Sequence, residues 1–300
     1  MEIALKVDVD THQGLRQGVP RLARMLVDED VTATFFIAMG PDNSGRAALR
    51  ALRNRGFIAK MRRTRAVSIY GLRTILSGTV LPARQISLAL PEVVRDLGRM
   101  GFEVGVHGYD HVRWQDHLDE IGDVGLGGEI ADAFEAFRAI MGQPARSFAA
   151  PGWRTNTAAL RALDRMGLDY RSDTRGHAPY RCAIDGETFT IAEIPTTLPT
   201  MDEIIGTPQA SDAASCVRLY LDLIEPGALN VHTIHAEIEG MSQLDAFKAL
   251  VRALKQRGAR FVQLREVAAR LAHSELPVCP VLRTTIPGRA GWVSTQAAVP

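Results

Sequence analysis

A parallel α/β fold, a wound sheet or barrel of about seven βα units, is predicted by three observations on the 300-residue chain. Short apolar, β-branched runs alternate with longer stretches of helical period. Glycines close several of those stretches, as Gly101, Gly167 and Gly258 do, supplying a residue tolerant of positive φ where a helix ends. Aspartates and histidines gather just past the apolar runs, at the face where active sites of such folds are assembled. In chain order, strands are expected at residues 3–9, 33–38, 102–106, 147–150, 170–172, 229–234 and 260–262. The helices between them are expected at 20–30, 91–100, 129–141, 157–166, 213–223, 244–257 and 264–273. Residues 188–194 alternate less clearly and read as a hairpin or an extra strand. After His273, Pro277, Pro280, Pro287 and Pro300 interrupt any period. Residues 274–300 are therefore expected to be a loosely attached tail behind a domain of residues 1–273.

Composition is that of an ordinary globular protein, 46% apolar and 23% charged, which excludes disordered, collagen-like and disulfide-dense classes. Cys182, Cys216 and Cys279 are odd in number and far apart, so neither a disulfide framework nor a thiolate zinc site is expected. No stretch reads as a signal peptide or a membrane span, and a cytoplasmic protein is expected. The net charge of +1 conceals an asymmetry. Between Asp42 and Glu92 lie ten basic residues and no acidic one, leaving 25 basic against 34 acidic elsewhere. An insertion at about residues 43–90 is thus built for an anionic partner.

The polar residues carry the chemistry. In Val7-Asp8-Val9-Asp10 a spacing of two puts both carboxylates on one side of an extended chain. Two carboxylates there repel unless a positive group lies between them. In His107-Gly108-Tyr109-Asp110-His111 the imidazoles stand at i and i+4, so that on a helical turn both reach one metal. With Asp10 they form a two-histidine, one-carboxylate set that leaves metal positions open for water and substrate. His235 ends the run at 229–234, and His232, three residues earlier, points the other way to pack against a helix. Glu237 shares the face of His235 and could orient its ring, contact substrate or face solvent. Taken singly, each motif also fits a structural role: an Asx turn after Asp10, surface imidazoles at 107 and 111, or a packed histidine at 235.

Together these residues resemble the motifs of the NodB-type polysaccharide deacetylase family, over roughly residues 3–271. The resemblance implies a distorted (β/α)7-type barrel with a basic helical insertion. It makes Asp8 the general base, Asp10, His107 and His111 the metal ligands, and His235 the general acid. Asp173 falls where the family has an acidic residue that orients the acid histidine. Where the family usually carries an arginine that steadies the base, this chain has Ala149 and Ala150, followed by Pro151, Gly152, Trp153 and Arg154. Either Arg154 takes that role or the base is tuned differently. The implied cofactor is a divalent metal, zinc by default, with manganese, cobalt, nickel or iron also suited.

Lys6 to Thr11, Gly40 to Arg46, Ala150 to Arg154, Ile194 to Thr200 and Thr233 to Gly240 resemble one branch of that family more closely. Its members remove formate from a 4-formamido-arabinose carried on undecaprenyl phosphate, in the lipid A modification that gives polymyxin resistance. An undecaprenyl-phosphate-linked amino sugar is then the implied partner. The basic insertion interleaves cations, including Arg50, Arg53, Arg62 and Arg63, with apolar residues, as a segment lying on an anionic membrane surface does. Nucleic acid is a weaker fit, because aromatics are few and no recognised motif is present. A deacetylase of N-acetyl sugars and a barrel that binds a sugar lipid without turnover are the competing readings.

Overall fold

The structure, a computed structural model, describes residues 1–47, 76–289 and 291–298. Strand β1 (Glu2–Val9) is flanked by β2 (Thr34–Ile37) and β8 (Leu229–His235), all parallel, and its lower half also pairs with β9 (Arg260–Val262). Beyond β2 the parallel order continues through β3 (Glu103–Val106), β4 (Ser147–Phe148), β5 (Tyr170–Arg171) and β7 (Glu187–Glu193). The chain leaving β7 closes the ring. There the amides of Thr197 and Leu198 both donate to the carbonyl of Val231 in β8, at 3.1 and 3.2 Å. Six of the expected strands, β1 to β5 and β8, thus form a distorted barrel together with β7, while the seventh, at 260–262, pairs among the described residues only with the start of β1.

Strand parity sorts the core into two layers. Inside the barrel Ala4, Phe36, Ala149, Tyr170, Ile194, Val231 and Val262 form one buried cluster. Leu5, Val7, Val9, Phe35 and Ile37 face outward instead, into a larger cluster completed by the surrounding helices. These helices include Val19–Asp28, Pro91–Arg99, Thr157–Leu163, Ala213–Leu223 and Leu244–Gln256, each within a few residues of its expected span. The helix expected at 129–141 starts earlier, at Gly122. Its first turns contain four glycines, which weaken the propensity signal. His232, on the outward side of β8, is buried between Tyr220 and Phe247, with ring centroids 4.4 and 6.3 Å away.

The stretch at 188–194 is the second arm of a hairpin, with β6 (Tyr180–Ile184) antiparallel to β7. The expectation of a loose tail is overturned. Residues after His273 form β10 (Val278–Thr284), parallel to β6, and β11 (Val293–Gln296), antiparallel to β10. Val293 and Ser294 are fully buried. The amides of Arg175 and Thr155 donate to the carbonyl and hydroxyl of Ser294, at 2.9 and 3.0 Å. The tail has no helical period because it completes an existing sheet edge, where pairing rather than propensity decides. The three cysteines are free and buried.

Most of the basic insertion, with Arg50, Arg53, Arg62 and Arg63, lies outside the described residues. Both of its ends are tied to the barrel. Asp42 accepts from the His12 amide at 3.0 Å, and the Ser77 and Ser87 hydroxyls donate to the carbonyls of Asp42 and Met39.

Burial pushes the His232 imidazole from its ordinary 6.5 down to about 3. Between those pH values the unfolded chain binds a proton that the folded one refuses, so stability falls as pH drops below 6.5. Urea denaturation of His232→Gln is expected to fall less steeply than wild type over this window, by up to about 1.4 kcal/mol per pH unit. Equal slopes would show that the imidazole is not held neutral.

Candidate metal centre and active site

The inward parity of β1 places Lys6 and Asp8 inside the barrel, and Asp10 follows at its carboxyl end. The turn after Asp10 is held by Glu237, whose Oε1 accepts from the amides of Asp10 and Thr11 and from the Thr11 hydroxyl, at 2.8–3.0 Å. A side chain at Gly14 would occupy the Glu237 carboxylate, its Cβ falling 1.9 Å from Oε1. Glu237 is therefore a buried clamp on the turn after Asp10.

His107 and His111 do converge, but not on one helical turn as the i, i+4 spacing suggests. Gly108 has φ 71° and Asp110 is extended, so His107 leaves β3 in a loop, while His111 opens the helix His111–His117. The Asp110 side chain caps that helix by accepting from the Arg113 amide at 3.0 Å. The ring centroids of His107 and His111 lie 5.2 Å apart. Their Nε2 atoms stand 3.3 and 3.5 Å from the same Asp10 oxygen.

That spacing suits a cation. With bonds of about 2.0–2.1 Å, tetrahedral ligand atoms stand roughly 3.4 Å from one another. His107 Nδ1 lies 2.8 Å from the carbonyl of Ala149, which fixes the proton on that nitrogen and turns the Nε2 lone pair toward Asp10. The shared Asp10 oxygen is buried and has no hydrogen-bond partner. Burial pushes the His111 imidazole down to about 4, into the neutral form that a ligand needs. Burial works against charge on Asp10 as well, but the His111 and His107 imidazoles hold its carboxyl well below the usual carboxylate range. Among the described residues, Asp10, His107 and His111 form a group whose ligand atoms lie within 4.8 Å of one another.

Asp8 and His235 are paired residues of adjacent strands, with Asp8 Oδ2 3.9 Å from His107 Nε2. Burial opposes charge on His235, yet the carboxylates of Asp202, Asp10, Glu239 and Asp8 raise its imidazole above its ordinary value. An imidazole raised in this way, beside the Asp10, His107 and His111 group, has the chemistry of a proton donor. The carboxylate facing its Nδ1 is Asp202, 4.0 Å away, and the His235 amide donates to Glu239 at 2.8 Å. Asp173, past the end of β5, is fully buried beside Arg171 at 4.0 Å. Burial and the nearby Glu193 push the Asp173 carboxyl well above its usual range.

Pro151, Gly152 and Trp153 form a tight turn after β4, in which Trp153 takes a φ of 53° that a bulky residue rarely adopts. Its indole is buried, donates to the Thr196 hydroxyl at 2.8 Å and meets the His235 ring edge-on, with centroids 6.3 Å apart. Arg154 turns away to the carbonyls of Gln115 and Trp292 and lies on the Trp292 ring. The cation beside Asp8 is Lys6. Its Nζ is fully buried, 3.7 Å from Asp8 Oδ2, and donates to the Ser172 carbonyl at 2.8 Å.

Sequence reasoning missed Lys6, Asp202 and Glu239. A lysine two residues before Asp8, inside an otherwise apolar strand, was the available signal for the first. Asp202 lies within the Thr200–Glu203 capping box, a pattern that reads as helix punctuation and hides its neighbour. Breaking a buried pair strands the remaining charge, so Lys6→Met is expected to lower stability by about 3–5 kcal/mol. Adding Asp8→Asn should return at least about 1 kcal/mol in a denaturant double-mutant cycle. Strict additivity would show that the two side chains do not interact.

Residues 2–171 match the polysaccharide deacetylase family. A Shewanella sediminis (strain HAW-EB3) protein named "Probable 4-deoxy-4-formamido-L-arabinose-phosphoundecaprenol deformylase ArnD" is 35% identical over 99% of this chain and 95% of its own. A protein of the same name from Wigglesworthia glossinidia brevipalpis is 31% identical over 95% of this chain and 99% of its own. In fold, the chain is similar to a Mycobacterium smegmatis crystal structure assigned to the polysaccharide deacetylases. The TM-score is 0.65 at 18% identity, covering 95% and 94% of the two chains. A carbohydrate esterase family 4 pseudoenzyme from Bacillus anthracis superposes at a TM-score of 0.54, with 15% identity over 89% of this chain and 65% of that one. With a family match over more than half of its length and a full-length relative at 35% identity, the chain belongs to the polysaccharide deacetylase family.

Proposed function

We propose that this chain is a metal-dependent hydrolase that removes the formyl group from 4-deoxy-4-formamido-L-arabinose-phosphoundecaprenol. The observation that carries the reading is the Asp10, His107 and His111 group facing Asp8 and His235, in a chain similar end to end to relatives named for that reaction. A divalent cation, zinc for preference, held by Asp10, His107 and His111 would lower the pKa of a bound water and offset negative charge on the amide oxygen. Asp8 takes a proton from the attacking water as the new carbon–oxygen bond forms. Lys6 keeps a positive charge beside Asp8 while this happens. His235 gives its proton to the sugar nitrogen as the carbon–nitrogen bond breaks, releasing formate and the amino sugar. Asp202 faces the other ring nitrogen of His235, and Trp153 packs against its edge.

Metal content and formate release on the undecaprenyl-linked substrate test this directly. Asp8→Asn and His235→Ala are expected to keep the metal and lose about 10²- to 10⁴-fold in kcat. His107→Ala and His111→Ala should lose the metal as well. Undiminished formate release from Asp8→Asn or His235→Ala would remove their roles. Release of acetate from N-acetylglucosamine oligomers, with none of formate, would favour a deacetylase instead.

The same substrate argues for peripheral attachment to the cytoplasmic leaflet of the inner membrane. No helix among the described residues is long and apolar enough to cross a membrane. The basic insertion departs from the barrel mouth, since Met39 and Gly40 donate to the carbonyls of Gly108 and Tyr109 beside the metal ligands. Arginines there could hold an anionic surface close to where the sugar is processed. Sedimentation with anionic liposomes should recover wild type but much less of a variant lacking Arg50, Arg53, Arg62 and Arg63. Equal recovery would count against membrane attachment.

A further inference from the structure

The C-terminal strands carry a charge into the mouth that the family-matched segment does not contain. Between β10 and β11 the chain turns through a loop, with the Arg289 amide donating to the Ile286 carbonyl at 3.1 Å. The Arg289 guanidinium carbon sits 4.3 Å from the centroid of the Trp153 ring, and its side chain is only 13% exposed. Arg175 approaches the same indole, at 5.1 Å. One carboxylate serves both. Arg175 Nη1 bonds to both oxygens of Glu203, at 2.8 and 3.1 Å, and its Nη2 donates to the Leu198 carbonyl at 3.0 Å. Arg289 is left with a contact of 3.7 Å to the same carboxylate, beyond hydrogen-bonding reach.

Two guanidiniums on one carboxylate leave a net positive charge in a largely buried place, which is costly unless an anion compensates it. That charge is one indole away from His235, since Trp153 meets the His235 ring at 6.3 Å. A guanidinium presents a planar fork of donors suited to phosphate oxygens. In a 4-formamido sugar linked through phosphate at its anomeric carbon, the scissile amide and the phosphodiester lie on opposite sides of one pyranose ring. An amide nitrogen at His235 would then direct the phosphodiester past Trp153.

We propose that Arg289, presented over Trp153 by the C-terminal strands, binds the anomeric phosphodiester of the substrate, with Arg175 anchoring Glu203 beneath it. This rests on the deformylase reading and adds the residue that distinguishes a phosphate-bearing sugar from a neutral one.

The test compares two formamido-arabinose substrates, one with a short-chain phosphodiester at the anomeric carbon and one the neutral methyl glycoside. Wild type should prefer the phosphodiester in kcat/KM. In Arg289→Ala that preference should fall by about 10- to 100-fold, chiefly through KM. Arg289→Lys keeps the charge without the fork and should retain part of the preference. If Arg289→Ala does not fold, Arg289→Gln takes its place with the same expected loss. A variant whose activity drops equally on both substrates, with the preference unchanged, would show that Arg289 only packs on Trp153 and overturn the inference. Wild type that releases formate from neither substrate would overturn the deformylase reading itself, a result recognisable without any variant.

Discussion

The structure depends on charge balance at the carboxyl end of a barrel that excludes most water. Asp8, Asp173, Glu237 and Glu239 are buried there, as are His107 and Lys6, and Asp10 and His111 are part-buried. A buried carboxylate is tolerated only when donors or opposite charges surround it. Glu237 meets three donors from the Asp10 turn, Asp8 meets Lys6, and Asp10 meets two imidazoles. Each of these carboxylates keeps a buried oxygen without a hydrogen-bond partner, and the one on Asp10, with two imidazole nitrogens 3.3 and 3.5 Å away, is where a divalent cation would fit.

Strand parity distributes these tasks. Along β1 the outward side chains Leu5, Val7 and Val9 bind the helical layer, while Lys6 and Asp8 occupy the interior. Along β8 the same alternation sends His232 outward into an aromatic cage and His235 inward to the site. One residue of slip in either strand would exchange the two sets, so the hydrophobic pattern that sets the register also sets the active site. Lys6 shows how a barrel can replace one cation with another. The cation beside Asp8 comes from within its own strand, while Arg154 lies on Trp292 and ties the C-terminal strands to the turn after β4.

Those C-terminal strands change what the barrel presents. They extend the sheet past the β6–β7 hairpin, bury Val293 and Ser294, and bring Arg289 onto the indole that touches His235. Trp153 becomes the meeting point of the family site and the added segment. It is held in an unfavourable backbone conformation by the Thr196 hydrogen bond and by the cations of Lys6, Arg175 and Arg289 around its ring.

What could be read in the residues alone were the properties that local periodicity and spacing encode. Strands β1 to β5 and β8 with their helices, the inward parity of Asp8 and His235, and the candidate ligand set at Asp10, His107 and His111 belong there, because a period of two or of 3.6 is written in adjacent residues. Only the tertiary structure decided which partner each charge takes. Lys6 rather than Arg154 stands beside Asp8, Asp202 rather than Asp173 faces His235, and residues 278–284 and 293–296 become strands instead of a loose tail. Each of those outcomes depends on contacts between segments far apart in the chain, and such contacts leave no periodic mark in the sequence.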